Sequence, residues 1–234
     1  MTESEKNFFE KCIYTEKGFV SYEEFFASDE GKNHIKKRMH TILRFKKKGN
    51  FLDIGCAFGY YLKEASKNFN VFGVDVSGYA IKKARKTVNC PETNLIKCSA
   101  EKLPFKDNFF DVIIAVHSIE HIKDYRKVLK ECSRVLKKDG ILFLDFPTKL
   151  FEFPHFIPVT KKEVFELNSF LKKIGLGNKI QFIFDKTHVS SPFPWNVASG
   201  KYLKPFFEAI EIKPEKKWKQ LISSGFQIIA KPVK

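Results

Sequence analysis

The sequence predicts a doubly wound α/β protein, with a mostly parallel sheet and helices on both faces. Three observations carry that prediction. Strand-like apolar runs alternate with helix-like amphipathic runs from residue 50 to residue 146, the pattern of a parallel sheet covered on both sides. The first run ends at Asp53 and opens into a turn containing Gly55, Ala57 and Gly59. Small residues are needed where backbone and ligand approach closely, and such a turn points N–H groups above the strand ends. A second run, Val71-Phe72-Gly73-Val74, ends in Asp75, and a carboxylate at the tip of the second strand is where a ribose diol finds its acceptor. Together these describe a nucleoside-binding half-fold.

Taken in order, residues 1–48 read as an N-terminal helical leader rather than a domain. Phe8, Phe9, Tyr14, Phe19, Tyr22, Phe25 and Phe26 are too many rings for a disordered tail. Ile35, Met39, Ile42 and Leu43 fall at helical spacing in a helix from about residue 33 to 45. The leader lies either across the mouth of the site, whose first strand it immediately precedes, or on the outer sheet face. After Gly59 a helix turns Leu62, Ala65 and Phe69 inward, and Ser77 stands as the N-cap of the next helix. That helix buries Ala80, Ile81, Ala84 and Val88 and faces Lys82, Lys83, Arg85 and Lys86 outward. Residues 94–97 form a short third strand, and 109–116 a buried parallel strand with Asp111 near its start. The helix from Tyr125 to Leu136 carries Val128, Leu129, Cys132 and Val135 on one stripe. Lys137 and Lys138 suit its negative end, and Asp139-Gly140 stop it. Ile141 to Phe146 form the next strand. The phenylalanine-rich stretch 147–200, with a helix from about 162 to 174, is the place for a substrate cap. Strands at 206–212 and 226–230 complete the sheet within residues 201–234.

The composition narrows the class. The chain has 234 residues, room for one ordinary domain or one with an insertion, and 26 phenylalanines give its core a large apolar payload. The longest uninterrupted apolar run, Val112–Val116, is far too short to span a bilayer, and the acidic N-terminus is not a signal peptide. Five cysteines form no C-x-x-C pair, as expected of reduced, mostly buried thiols in a cytoplasmic protein. The net charge of +15 is uneven: residues 33–48 hold seven Lys/Arg and no acid. Such a balance permits binding to RNA, anionic lipid or acidic substrates, while a solvated lysine-rich surface is the simpler reading.

The middle block points to a family. Asp53, Gly55, Ala57, Gly59 and Asp75 resemble the first two motifs of class I S-adenosylmethionine-dependent methyltransferases. Ser-Ala-Glu-Lys-Leu-Pro-Phe at 99–105, Phe-Asp-Val-Ile at 110–113, Glu-His at 120–121 and Glu-x-x-Arg-Val-Leu-Lys-x-x-Gly at 131–140 are similar to the small-molecule enzymes of ubiquinone and menaquinone biosynthesis. The resemblance covers residues 50–146. It implies a Rossmann-like seven-stranded sheet, mostly parallel with the last strand antiparallel, and S-adenosylmethionine across the strand ends, leaving S-adenosylhomocysteine as product. Asp53 would orient the ammonium of its amino-acid tail, with Gly55 and Gly59 beside it. Asp75 would accept from the ribose, the alternative being a carboxylate that merely caps the turn. Val76 and Leu103 would sandwich adenine, with Ser99, Ala100 and Glu101 at its edge, where Ser99 replaces a common Asp. His117 would border the methionine end.

Methyl transfer from a sulfonium is an in-line displacement that positioning alone can carry. A general base helps only where the acceptor arrives protonated, and His121, then His188 and Glu120, are the candidates, with a structural role for His121 equally open. His117–His121 spells H-x-x-E-H, which binds zinc when both histidines lie on one helix. Here it begins at the end of a buried strand, so no metal is assigned. The acceptor expected is small and largely apolar. The alternatives are a tRNA or other RNA methyltransferase using the basic surface, and a protein that binds the cofactor without catalysis.

Overall fold

The computed structural model describes residue 9 and residues 13–15, 18–91, 94–122, 124–147, 207–214 and 225–232. The leader differs from its purely helical expectation, because a two-stranded antiparallel ribbon, β1 (Ile13–Thr15) with β2 (Gly18–Val20), precedes its helices. Three-residue strands are too short for period-two alternation to show. Helix α1 (Tyr22–Ala27) starts at a capping box in which the Ser21 hydroxyl accepts from the Glu24 amide and the Glu24 carboxylate accepts from the Ser21 amide. Helix α2 (Asp29–Leu43) begins four residues earlier than its apolar spacing indicated, because the Ser28 hydroxyl caps it by accepting from Gly31 N–H at 3.1 Å.

Beyond the leader, the main sheet is built on β3 (Asn50–Ile54), which runs parallel to β4 (Asn70–Asp75) on one side and to β6 (Phe110–Val116) on the other. Strand β5 (Leu95–Lys97) extends the β4 side and β7 (Leu136–Pro147) the β6 side, both parallel. Past β7, the strand β9 (Gly225–Pro232) pairs antiparallel, and β8 (Phe207–Pro214) pairs antiparallel with β9 at the edge. The order is β5-β4-β3-β6-β7-β9-β8. Chain direction out of the centre reverses between β3 and β6, and that is where ligands settle in open α/β sheets.

Successive side chains on each strand serve opposite faces. Phe51, Val112, Ile114 and Phe143 join the core under α2, α3 (Tyr60–Ala65) and α4 (Gly78–Thr87). Leu52, Ile54, Ile113 and Leu142 join the core under α5 (Tyr125–Val135). As expected, Ser77 caps α4 by accepting from Ala80 N–H at 3.1 Å. The end of α5 needs correction. Leu136 is already extended and paired with Phe110, so Lys137 to Gly140 belong to the irregular start of β7 rather than to a helix stop. Lys137 reaches across to Asp111 at 2.8 Å and Lys46 pairs with Asp139, contacts that draw this stretch into the sheet. The expected cap at 147–200, with its helix, lies outside the described residues. Among those described, no helix is long and apolar enough to cross a membrane.

Candidate active site

The turn after β3 is held in a shape that only small residues take easily. Gly55, Ala57 and Gly59 have φ of +72°, +45° and +79°, left-handed values costly for most side chains. A Cβ on Gly55 would come within 2.5 Å of Ser118 Cβ, so the turn after β3 is in contact with the loop after β6. The Ser118 hydroxyl donates to Ile54 O at 2.7 Å and joins the two strand ends directly. Gly55 and Cys56 N–H groups donate to Val74 O, which ties the turn to β4 as well.

Two carboxylates frame this turn. Asp75 at the tip of β4 accepts from Ala57 N–H at 3.0 Å and from Ser77 N–H at 2.8 Å, one on each oxygen. The carboxylate therefore orients the turn. Both readings of Asp75, cap and acceptor, fit that arrangement. Asp53 is only 3% exposed, and no described group donates a hydrogen bond to its carboxylate. Burial, and then the neighbouring Asp75, push its pKa well above the ordinary carboxylate range. A buried carboxylate lacking a cation at a glycine turn fits a ligand that brings an ammonium.

The remaining expected cofactor contacts are placed unevenly. Ala100 and Leu103 are buried, while Val76 is 68% exposed on the turn into α4. Ser99 is exposed, and its hydroxyl accepts from Glu101 N–H at 3.2 Å. Glu101 lies 3.9 Å from Lys127. His117 follows β6 with φ +48° and donates its N–H to Asp145 O at 2.8 Å. His121 is exposed and closes a 3₁₀ turn, Ile119–His121. The H-x-x-E-H stretch is thus a strand end, a strained residue and a single tight turn, and its two histidines do not share a helix. Among the described residues no group of His, Cys, Asp and Glu could hold a metal ion. The backbone of Glu120 is in that turn; its side chain, and the whole of His188, lie outside what is described.

The leader reaches this end of the sheet, where the sequence left its placement open between the mouth of the site and the outer sheet face. Phe9 packs on Phe58 of the glycine turn, with centroids 4.7 Å apart, and Tyr22 lies 5.2 Å from Phe58. Helix α2 places His34 against Tyr61 and His117. It also buries an Arg38–Asp145 ion pair. The ring count of the leader signalled burial, but nothing in its spacing named the surface it covers.

Comparison with known proteins fits this geometry. A family model described as a methyltransferase domain matches residues 52–144, which span the glycine turn, both carboxylates and the β6 end. An uncharacterized protein of Methanocaldococcus jannaschii is 30% identical over 161 residues, 64% of this chain and 68% of that one. The chain belongs to the class I S-adenosylmethionine-dependent methyltransferases. S-adenosylmethionine is the cofactor of this methyltransferase. A demethylmenaquinone methyltransferase of Listeria welshimeri is 32% identical over 151 residues, 61% of this chain, and the methyltransferase spans 63% of that relative's length. In fold, it is similar to the PH0226 protein of Pyrococcus horikoshii, with a TM-score of 0.64 at 22% identity, over 97% of this chain and 99% of that one.

Proposed function

We propose that the methyltransferase transfers the methyl group to a small, largely apolar acceptor, with the cofactor lying across the β3–β6 switch point. The observation that carries the placement is Asp53, a buried carboxylate with no described donor, facing a turn built of left-handed residues. In this reading Asp53 and the Gly55–Gly59 turn hold the amino-acid tail. Asp75 accepts from the ribose, and Val76 and Leu103 flank adenine, with Ser99, Ala100 and Glu101 along its edge. The exposure of Val76 supports the assignment, because an apolar side chain left in solvent gains from a flat ring laid over it. His117 borders the methionine end. When bound, the cofactor supplies an electrophilic methyl on a sulfonium; the chain's own residues orient, desolvate and align, which can contribute roughly 7–11 kcal/mol. In this reading His121 is the base that takes a proton from a hydroxyl or phenol acceptor, with Glu120 and His188 next in line.

The apolar acceptor is supported by the likeness to demethylmenaquinone methyltransferase and by the phenylalanines of residues 147–200, read as the cap over the acceptor. Residues 1–48 serve as the leader, 49–146 as the cofactor-binding core and 201–234 as the strands that complete a seven-stranded sheet. The antiparallel pairing of β9 supports an antiparallel last strand, and a cytoplasmic location follows the thiol-only cysteine reading. Calorimetric titration with S-adenosylhomocysteine, beside an Asp75→Ala variant, tests the placement. Saturable binding that falls at least about tenfold in the variant is expected. Wild-type protein that is folded and does not bind would refute it.

A second reading, an RNA acceptor, is favoured by one observation. Lys36, Lys37 and Lys47 near α2, and Lys82 and Lys86 on α4, are exposed, and none is in an ion pair among the described residues. A tRNA bound through them would lose affinity steeply with salt, in proportion to the phosphates neutralised. Flat salt dependence removes this reading.

A further inference from the structure

The family match begins at residue 52, yet the switch point is completed by a helix that comes before it. Arg38 of α2 and Asp145 of β7, 2% and 0% exposed, form a buried ion pair. Such a pair adds little net stability over well-packed apolar residues, but it fixes geometry where an apolar contact would tolerate sliding. It sets the depth and rotation of α2 against the sheet.

One turn earlier on the same face, His34 Nδ1 lies 2.7 Å from the Tyr61 hydroxyl. The His34 ring stacks on that of His117, with centroids 5.8 Å apart and planes inclined by 26°. Burial first, then the charges of Arg38, His117 and Lys37, depress the His34 pKa to about 2, so the imidazole is neutral. Neutrality leaves two tautomers, so in this hydrogen bond either Nδ1 accepts from the Tyr61 hydroxyl or Nδ1–H donates to it. Tyr61 lies in the first turn of α3, directly after Gly59, and His117 directly follows β6. His117 is held at φ +48°, a conformation that persists only when its surroundings enforce it. One imidazole from outside the matched region thus grips both loops that border the switch point.

We propose that His34 is a positioning residue of the methyl-transfer site, fixing through Tyr61 and His117 the two loops that flank the cofactor's amino-acid tail. This rests on the cofactor placement given above. His34 does not touch reacting atoms in this scheme. It acts by presenting a hydrogen-bonding nitrogen to Tyr61 and a flat face to His117.

The test is calorimetric titration of S-adenosylhomocysteine into wild type, His34→Phe, His34→Asn, Tyr61→Phe and the His34→Phe/Tyr61→Phe double variant. Phenylalanine keeps the ring and loses the hydrogen-bonding nitrogen; asparagine carries an amide that can accept or donate near the place of Nδ1 and loses the ring. His34→Phe is expected to bind about tenfold more weakly, with His34→Asn recovering most of that loss. Tyr61→Phe is expected to weaken binding as much as His34→Phe, and the double variant no further, since the two substitutions remove one interaction. A role confined to packing would be indifferent to the hydrogen bond and would give no rescue by asparagine. If wild type binds and His34→Phe binds equally well, or if His34→Asn is as weak as His34→Phe, the proposal is overturned. Should His34→Phe fail to fold, Tyr61→Phe decides, and unchanged affinity there overturns the proposal. Wild-type protein that does not bind at all overturns the cofactor placement itself.

Discussion

Replacing Asp53 with asparagine tests the role proposed for this buried carboxylate. The carboxylate is 3% exposed, and burial, then Asp75, raise its pKa. A carboxyl group whose pKa is higher in the folded state favours folding fully below its unfolded pKa. That contribution is lost as pH rises through the folded pKa. In the ligand-free protein, Asp53 therefore contributes less to folding at neutral pH than at acid pH. Each pH unit above the unfolded pKa of about 3.9 adds at most about 1.4 kcal/mol, so by pH 7 the cost has a ceiling of about 4 kcal/mol. Asparagine has the same shape and does not titrate. Urea unfolding of both proteins, at about pH 4 and about pH 7, measures the difference. Between those conditions the balance should move toward Asp53→Asn by about 1–4 kcal/mol, while its affinity for S-adenosylhomocysteine falls at least about tenfold. An identical stability difference at both pH values would refute the desolvation argument. Unaltered affinity would refute the role assigned to the carboxylate.

Two further substitutions probe the frame around the site. Arg38→Met leaves Asp145 buried without its guanidinium and should cost about 3–5 kcal/mol in urea unfolding, whereas Arg38→Met combined with Asp145→Leu should recover most of that loss; a double variant no better than the single would mean that the pair stabilises in its own right. Gly55→Ala combines a φ of +72° with a Cβ 2.5 Å from Ser118 Cβ. A loss of at least about 1–2 kcal/mol in thermal or urea unfolding is expected, with weaker S-adenosylhomocysteine binding, and a variant as stable as wild type would show that the loop after β6 can yield.

What was legible in the sequence was whatever had a local cause. The alternation over residues 50–146, the Ser77 cap and the inward faces of α3, α4 and α5 each follow from periodicity or from a side chain meeting its own backbone. The turn at Gly55–Gly59 was legible because left-handed backbone leaves a mark in residue choice. The start of α2 was not, since Asp29 to Lys32 show no apolar stripe and Gly31 is present for closeness, because a Cβ there would run into Phe25 O. The end of α5 misled for a different reason. Lys137 to Gly140 have the composition of a helix stop, but their partners, Asp111 and Lys46, lie 26 and 93 residues away in sequence. His34 and Arg38 were invisible as site residues on the same ground, because what they touch is decided by the sheet.

The Arg38–Asp145 pair joins residues 107 positions apart, and this bears on how the chain assembles as it is made. A ribosome delivers α2 long before β7 exists, so the helix can be drawn into a nascent cluster with α3 and α4 but has no anion to settle its rotation. Contacts of such long separation form late and slowly. Until β7 is threaded beside β6, the rings of the leader remain available for wrong partners, among them other nascent chains. The final docking of α2 would then complete both the fold and the wall beside the glycine turn, so that a chain stalled before residue 145 carries the whole glycine turn yet has no means of closing it.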